Sequence, residues 1–304
     1  MQDYQGKWLS KPELLTFSVD NAIATITLNR PDKRNALSPA LLQEMHDAML
    51  EADDRTDVNV IILEGAGKDF CAGYDLAGTY AGRTAEVDAS GADAISYRSK
   101  IKTFDDDAWN VERQQILTTV MFDLHKPVIA KVHGNCLAGG TDIAFHCDLV
   151  VAADEARIGF PASRANGCPP NQMWVYHMGP QWTKRLLFTG DTLSGADAAK
   201  IGLVLDSVPA AELDAYVLEL ASRIAAVDAE LLSAHKRIVN LALEQMGAKT
   251  LQRIAAETDA RAHLSTGPRR TQFKADMAAH DLKTALKNRD APFGDGRITL
   301  RGRG

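Results

Sequence analysis

The 304-residue sequence predicts an α/β fold followed by an all-helical C-terminal region. Three observations carry that reading. Through roughly the first two thirds of the chain, β-branched apolar runs alternate with segments of helical period. Two of those runs, Val58 to Leu63 and Lys126 to Val132, are followed by glycine-centred segments, as buried strands are where they leave a sheet. Past Pro209 the strand signals fade and only helical periodicity remains.

The elements follow in order. Glu13 to Val19 and Ala22 to Leu28 read as a hairpin turned at Asp20-Asn21. Ser38 and Pro39 supply an N-cap and a first-turn proline, and Leu41, Leu42, Met45, Met49 and Ala52 share one face of the helix they open. The strand at Val58 to Leu63 comes next. Between residues 77 and 110 periodicity disappears and Gly, Ala, Thr, Ser and Asp dominate, ending near Asp105-Asp106-Asp107. An excursion of that length is either a functional lid or a poorly ordered surface insertion. Val111 to Leu124 is helical, with Ile116, Val120, Met121 and Leu124 on one side, and leads into the strand at Val128 to Val132. Thr141 to Cys147 begins a helix, Leu149 to Ala153 is a strand, and Lys184 to Phe188 and Gly195 to Ile201 are helices, the second capped by Ser194. Leu213 to Ala226, Leu231 to Leu243 and Leu251 to Leu264 complete the helical tail. The basic, glycine-rich end from Arg297 to Gly304 is expected to fray. The division is a core over residues 1–210 and a helical region over 211–304.

Composition bounds the function. Hydrophobic residues make up 45% and charged residues 24%, as in ordinary globular domains. A net charge of −6 argues against a general nucleic-acid binder. No apolar run is long enough for a membrane span and the first residues lack a signal-peptide core, so the expected location is the cytoplasm. Cys71, Cys136, Cys147 and Cys168 form no C-x-x-C pair, which predicts neither a disulfide framework nor a metal site. They read as small buried residues. Cys71 and Cys136 adjoin the glycine segments, so thiol reagents are expected to inhibit without either being catalytic.

Those segments, Phe70-Cys-Ala-Gly-Tyr-Asp-Leu76 and Asn135-Cys-Leu-Ala-Gly-Gly-Thr-Asp-Ile-Ala-Phe-His-Cys-Asp148, are the most informative in the chain. Gly73 and the Gly139-Gly140 pair allow a ligand close to the backbone. The helix beginning near Thr141 directs free N–H groups and the positive end of its dipole back at the glycines. Two converging N–H groups there would make an oxyanion hole. The competing reading is that all three glycines serve turns.

With these residues in view, the chain resembles the enoyl-CoA hydratase/isomerase family, the crotonase superfamily. The resemblance runs from Ile23-Ala-Thr-Ile-Thr-Leu-Asn-Arg-Pro-Asp-Lys-Arg-Asn-Ala-Leu37 through Phe70 to Leu76, Lys126 to Val151, Leu187 to Asp191 and Ala198 to Val204, covering roughly residues 12 to 210. It implies a crotonase-like spiral of ββα units with a C-terminal helical oligomerisation region, assembled as a homotrimer or a dimer of trimers. It implies an acyl-CoA substrate from fatty-acid or related metabolism, with coenzyme A entering as part of that substrate and no other cofactor. By resemblance, the backbone N–H groups of Tyr74 and Gly139 hold the thioester oxygen. Coenzyme A contacts fall on Lys33, Arg34 and Ala36, on Ala72, Gly73, Tyr74, Asp75 and Leu76, and on Gly139 and Gly140. Lys33 and Arg34 suit phosphates, although a solvated basic turn explains them as well. The 77–110 excursion borders the acyl pocket in this family, where Tyr97, Phe104 and Trp109 are available as apolar wall. Phe273, Lys274 and Lys287 are candidates for residues lent to a neighbouring subunit.

The acid/base inventory departs from the family pattern. Typical hydratases carry one glutamate three residues after the first oxyanion glycine and another in a Phe-Gly-x-Pro-Glu stretch. Here the first position is Asp142 and the second is Ala162, in Ile158-Gly-Phe-Pro-Ala162. Alanine cannot transfer a proton, and an aspartate retracts its carboxylate by a methylene, a displacement that can cost on the order of a hundredfold. Either Asp142 acts alone, as suits double-bond migration, or a second group comes from elsewhere. Arg164, Asn166, Asn171, Tyr176 and His177 are the nearby candidates; His133 and His146 read as structural, and Asp148 and Asp154 as strand and turn caps. Hydration of a 2-enoyl-CoA leads, isomerisation or hydrolysis using Asp142 follows, and a catalytically weak acyl-CoA-binding paralogue is the reading from another class. A nucleotide dehydrogenase is set aside because no G-x-G-x-x-G follows a strand.

Overall fold

The structure, a computed structural model, describes residues 4–76 and 103–300. Its larger sheet has six strands: β1 (Leu15–Asp20), β2 (Ile23–Leu28), β3 (Val60–Gly65), β4 (Val128–Val132), β6 (Leu149–Ala153) and β9 (Asp206–Val208), adjacent in that order. Only the β1–β2 pair is antiparallel. The hairpin turn falls one residue later than the sequence suggests, at Asn21 and Ala22, which both take positive φ (49° and 62°). That backbone matches the right-handed twist of the flanking strands. The parallel strands β3 and β4 are covered on both faces, so they read as continuous apolar runs: Val60, Ile61, Leu63, Val128, Ile129 and Ala130 are all 0% exposed.

The smaller sheet has three strands, β5 (Asn135–Leu137), β7 (Arg157–Gly159) and β8 (Thr192–Ser194). β4 runs into β5 and β6 into β7, so these two strands of the large sheet are each followed by one of the small. Helices α1 (Pro39–Asp54), α2 (Phe104–Asp123), α3 (Gly139–Ala144), α4 (Trp174–Thr189) and α5 (Gly195–Lys200) complete the units. The caps at Ser38 and Ser194 form as expected, accepting from Leu41 N (3.2 Å) and Asp197 N (3.0 Å).

α2 begins seven residues before the apolar periodicity does. Thr103 Oγ1 caps it by accepting from Asp106 N (3.2 Å), and Asp105, Asp106 and Asp107 occupy its first turn. There they complement the helix dipole, so residues 104–110 are helix and not irregular excursion. Ile116 points outward, 62% exposed, unlike Met121 and Leu124. The rest of the excursion, residues 77–102 with Tyr97, lies outside the described residues. α4 likewise extends far beyond Lys184 to Phe188; it is interrupted at Gly179 (φ 76°) before Pro180.

After residue 210 come α6 (Leu213–Ala225), α7 (Ala229–Gln245), α8 (Ala248–His263), α9 (Pro268–Ala279) and α10 (Leu282–Asp290). The last two have no counterpart in the sequence reading. Lys236 of α7, almost fully buried, fastens this region to the core through Met121 O (2.6 Å), Lys126 O (2.9 Å) and Asp148 Oδ2 (2.8 Å). Asp148 also accepts from Val128 N (2.7 Å), which is the strand-capping role expected of it. The start of the basic tail does not fray: Ile298 N donates to Thr192 O and Thr192 N to Gly296 O, both 2.8 Å, extending the edge at β8. Residues 301–304 lie outside the described residues. No helix among the described residues is long and apolar enough to cross a membrane.

Candidate active site

A cavity of about 1100 Å³ opens between the small-sheet end of the core, α2 and the C-terminal helices. Seven of the ten positions where the resemblance places coenzyme A contacts line it: Lys33, Arg34, Ala36, Ala72, Tyr74, Asp75 and Leu76. Gly73, Gly139, Gly140 and Asp142 stand immediately behind that surface and do not line it.

The mouth is built by the loop after β2. Pro31–Lys33 forms a single 3₁₀ turn, and Arg34 and Asn35 continue at positive φ (52° and 55°). Asn35 is fully buried and locks the loop: its Oδ1 accepts from Arg30 N (2.9 Å), and its Nδ2 donates to Ala66 O (2.9 Å) and Asp69 O (2.8 Å). This clamp leaves Lys33 and Arg34 exposed at the rim. Arg30 reaches across to Asp75 Oδ2 (3.1 Å) and Ala36 O, joining the loop to the first glycine segment.

Leu37 and Tyr74 form a parallel bridge in which Leu37 N donates to Gly73 O (2.8 Å) and Asp75 N to Leu37 O (3.0 Å). This alternation turns the Tyr74 N–H away from Leu37. On the facing side Ala138, at φ 48° and ψ −117°, starts α3. Its carbonyl accepts from Thr141 N (2.8 Å) and Thr141 Oγ1 (2.6 Å), holding an otherwise costly backbone conformation. Among the described residues the N–H groups of Tyr74 and Gly139 have no acceptor. The two segments are tightly apposed. A Cβ added to Gly73 would lie 3.4 Å from Gly139 N, and one on Gly140 would lie 2.6 Å from Cys71 O, which only glycine avoids.

Asp142 is 1% exposed, and the Tyr74 hydroxyl, on the cavity wall, donates to its Oδ2 (2.8 Å). Its Oδ1 has no partner among the described residues. Burial pushes the Asp142 carboxyl well above the usual range; the Tyr74 bond opposes this and the charge of Asp259 adds to it. Burial also raises the Tyr74 hydroxyl, with Asp142 contributing. Asp142 itself does not line the cavity. One turn into a short helix packed under the glycines, it meets the cavity through Tyr74.

The remaining acid/base candidates separate clearly. Ala162 lines the cavity, as does Asn166, whose Oδ1 accepts from Arg289 Nη1 (2.8 Å). Arg164 is an internal strut between Asp191 and Asp290 (both 3.1 Å). Asn171 donates to Thr118 Oγ1 (2.8 Å), Tyr176 to Met246 O (3.2 Å), and a ring nitrogen of His177 meets Phe145 O (3.1 Å). None of these four lines the cavity. His133 meets Gly67 O, and His146, buried and lowered to about 4 by that burial, meets Asp142 O (2.8 Å). Cys71 and Cys136 are fully buried, and burial pushes the Cys71 thiol up to about 12, which disfavours the thiolate that thiol reagents attack.

The C-terminal helices supply what the sequence did not signal. Asp259 and His263 of α8, Arg270 of α9, and Leu282, Leu286 and Arg289 of α10 line this chain's own cavity. Phe273, expected to reach a neighbour, is 2% exposed within its own chain and unavailable for that; Lys274 and Lys287 are exposed. Phe104 and Trp109 do not form the expected apolar wall. α2 presents Asp107, Asn110, Val111, Gln114 and Leu117 instead, while Trp109 is 45% exposed under Arg113. Among the described residues no group of His, Cys, Asp and Glu is arranged to hold a metal ion.

Residues 18–274 match the sequence profile described as enoyl-CoA hydratase/isomerase. The chain is 34% identical over 241 residues to hydroxycinnamoyl-CoA hydratase-lyase of Pseudomonas fluorescens, covering 78% of this chain and 80% of that protein. It is 29% identical over 233 residues to 2,3-dehydroadipyl-CoA hydratase of Escherichia coli, covering 76% and 83%. Its structure superposes on an enoyl-CoA hydratase from Mycobacterium smegmatis with a TM-score of 0.82 at 34% identity, covering 94% of this chain and 96% of the other. An enoyl-CoA hydratase/isomerase from Xanthobacter autotrophicus Py2 gives 0.82 at 29% identity, covering 93% and 99%.

Proposed function

The chain belongs to the enoyl-CoA hydratase/isomerase family, and from that premise we propose that it is an enzyme binding an acyl-CoA thioester in the cavity and hydrating a 2-enoyl-CoA through an enolate-like state. The observation carrying this reading is the pair of unsatisfied N–H groups on Tyr74 and Gly139, presented by apposed glycine segments beside a cavity with a basic rim. Addition to the β-carbon places negative charge on the thioester oxygen, and two preorganised donors in a dry site stabilise that charge. Lys33 and Arg34 stand where coenzyme A phosphates would enter. Ala162 favours one alternative, proton transfer through Tyr74 and Asp142 alone, which suits isomerisation.

Calorimetric titration with acetyl-CoA tests the binding half. Loss of the conjugated-thioester absorbance of crotonyl-CoA, longer 2-enoyl-CoAs and an aromatic enoyl-CoA tests the chemistry. Binding with turnover of at least one of these is expected. Binding without turnover supports isomerisation or the catalytically weak paralogue, and no binding by any acyl-CoA removes the assignment.

We also propose that the chain self-associates as a trimer or dimer of trimers through its C-terminal helices. Leu218, Leu231, Ile238, Val239 and Ile254 on α6 to α8, with Met246 just after α7, are each more than half exposed, and together they give the region an uncovered apolar surface. Light scattering at three or six times 33.0 kDa is expected; a monomer at micromolar concentration rejects it.

A further inference from the structure

The loop that carries Ala162 lacks a carboxylate of its own, yet it is pressed against one. Ala162 O accepts from Asn166 N (2.8 Å), Ala165 N (3.2 Å) and Gly167 N (3.4 Å), so the chain curls back and delivers Gly167 to helix α8. A Cβ on Gly167 would lie 2.3 Å from Asp259 Oδ1 and 3.3 Å from His263 Nε2, so the close fit depends on glycine. Asp259 Oδ1 accepts from Cys168 N (2.9 Å), and its Oδ2 lies 3.5 Å from His263 Nε2. The other nitrogen of that ring, Nδ1, is 2.8 Å from Asp107 Oδ2 on α2. A chain Asp107–His263–Asp259 thus crosses from α2 to α8, and all three residues line the cavity with Ala162, Gly167 and Tyr74.

We propose that Asp259 is the second proton-transfer group of this pocket, standing in for the carboxylate that Ala162 lacks, with His263 and Asp107 positioning it. This rests on the acyl-CoA reading above. The electrostatics agree with it. Burial is the main cause that raises Asp259 to about 6; Asp107 adds to the rise, while His263, Arg270 and the Cys168 N–H oppose it. Its charge in turn raises both Tyr74 and Asp142, so the three groups share one field. Two carboxyls whose environments separate their titrations divide the roles of base and acid. Asp259 ionises near pH 6 and is the base at neutral pH; the buried Asp142, pushed further from its usual range, is the acid and works through the Tyr74 hydroxyl.

The step balances without another reagent. Asp259 takes a proton from water as the water oxygen bonds to the β-carbon, and the alkene pair moves onto the α-carbon and thioester oxygen. Tyr74 gives its proton to the α-carbon and is reprotonated by Asp142. Hydrogen and hydroxyl have then added across the double bond, and the proton gained by Asp259 returns to Asp142 through pocket water.

The test uses the full chain with whichever enoyl-CoA it turns over. Asp259→Asn keeps an oxygen for Cys168 N and should fold. Its kcat should fall about 10²-fold or more, with acetyl-CoA affinity within about threefold of wild type. In the wild type, kcat/KM should drop below pH 6, and this limb should be absent from the residual activity of Asp259→Asn. His263→Gln removes the interaction with His263 that lowers the Asp259 carboxyl and should move the limb to higher pH, a readout that a merely structural anchor for the loop does not give; it also carries the test if Asp259→Asn is not recovered folded. Near-wild-type kcat in Asp259→Asn, an acid limb that persists in it, or a limb unmoved by His263→Gln overturns the inference while leaving acyl-CoA turnover by the wild type intact. Failure of the wild type to bind or convert any acyl-CoA overturns both together.

Discussion

The Tyr74 hydroxyl donates to Asp142 Oδ2 at 2.8 Å, and Tyr74 is the member of the pair that lines the cavity. A buried carboxyl that reaches its substrate through a phenol acts as one unit with it. Asp142→Asn keeps the shape but cannot exchange a proton, and Tyr74→Phe removes the connection. Each substitution should lower kcat about 10²-fold or more with acyl-CoA binding nearly intact. The double variant should be no slower than the worse single one, as for residues in one network. Multiplying losses in steady-state kinetics would show that the two act independently.

The adjacent glycines should fail differently. On Gly140 a Cβ would lie 2.6 Å from the Cys71 carbonyl, which belongs to the backbone of the apposed segment and cannot move alone. Gly140→Ala should therefore cost about 1–3 kcal/mol in denaturant unfolding. On Gly139 the Cβ would meet the tips of side chains, Leu37 Cδ1 and Tyr74 Cε2, both at 3.0 Å. Gly139→Ala should displace the Tyr74 ring, leaving the unfolding midpoint nearly unchanged while kcat falls.

Arg164, a sequence candidate for catalysis, should prove structural. Its guanidinium is 2% exposed, bridges Asp191 and Asp290, donates through Nε to Thr189 O (2.9 Å) and lies over the Phe293 ring at 4.2 Å. It thereby ties the loop after Ala162 to the end of α10. Arg164→Ala removes a buried cation that Asp191 and Asp290 share, leaving them Arg185 and Arg289 as partners, and should cost about 1.5–3 kcal/mol in equilibrium unfolding. Little loss of stability would mean that the C-terminal helices are held chiefly elsewhere.

Stability should depend on His146. Burial holds its imidazole at about 4 against an ordinary 6.5, so between those values the unfolded chain binds a proton that the folded chain does not. Its contribution is complete above pH 6.5 and is lost as pH falls towards 4, about 3 kcal/mol in all. His177, lowered by burial, acts in the same direction. Asp259, raised from 3.8 to about 6, acts oppositely: the folded chain keeps its proton longer, and stability declines as pH rises through that window. The His146 share is therefore read as a difference. The advantage of wild type over His146→Gln should shrink by about 3 kcal/mol from pH 7 to pH 4; parallel stability curves would exclude this cause.

The parallel strands, the capped helices and the two glycine segments were legible because each has a local signature. β4 and β6 fall where their apolar runs lie, and Ser38 and Ser194 cap as their positions imply. The wall of the cavity facing α8 was not legible. The large apolar residues in and just after α8 mislead: Ile254 and Leu264 are more than half exposed, while the buried face is Ala255, Ala256, Asp259 and Ala260. Small residues give a weak periodic signal, and an aspartate among them reads as solvated surface until the fold brings Gly167 against it. The spacing of Gln252, Ala256, Asp259 and His263 was the available clue, since intervals of three and four place them on one helical face. Tyr74 was identified for its backbone; its side-chain role depended on the position of α3, which no spacing within residues 70–76 encodes.

The exchange of carboxylates between loop and helix can be run backwards. Ala162 lines the cavity on the loop that curls around Gly167, and Asp259 lies against that same glycine from α8, so a glutamate at 162 and the aspartate at 259 would serve one space. Ala162→Glu alone should help little, because two carboxyls there raise one another's pKa and one stays protonated near neutral pH. In the Asp259→Asn background that conflict is gone. The double variant Ala162→Glu/Asp259→Asn should recover at least tenfold of the kcat lost in Asp259→Asn and regain an acid limb in its pH–rate profile, displaced from the wild-type position because burial and neighbours differ at 162. The comparison is kinetic and internal to one background, so folding losses common to both variants cancel. If the glutamate restores neither rate nor limb while acetyl-CoA still binds, the space beside Gly167 is not where the second proton moves.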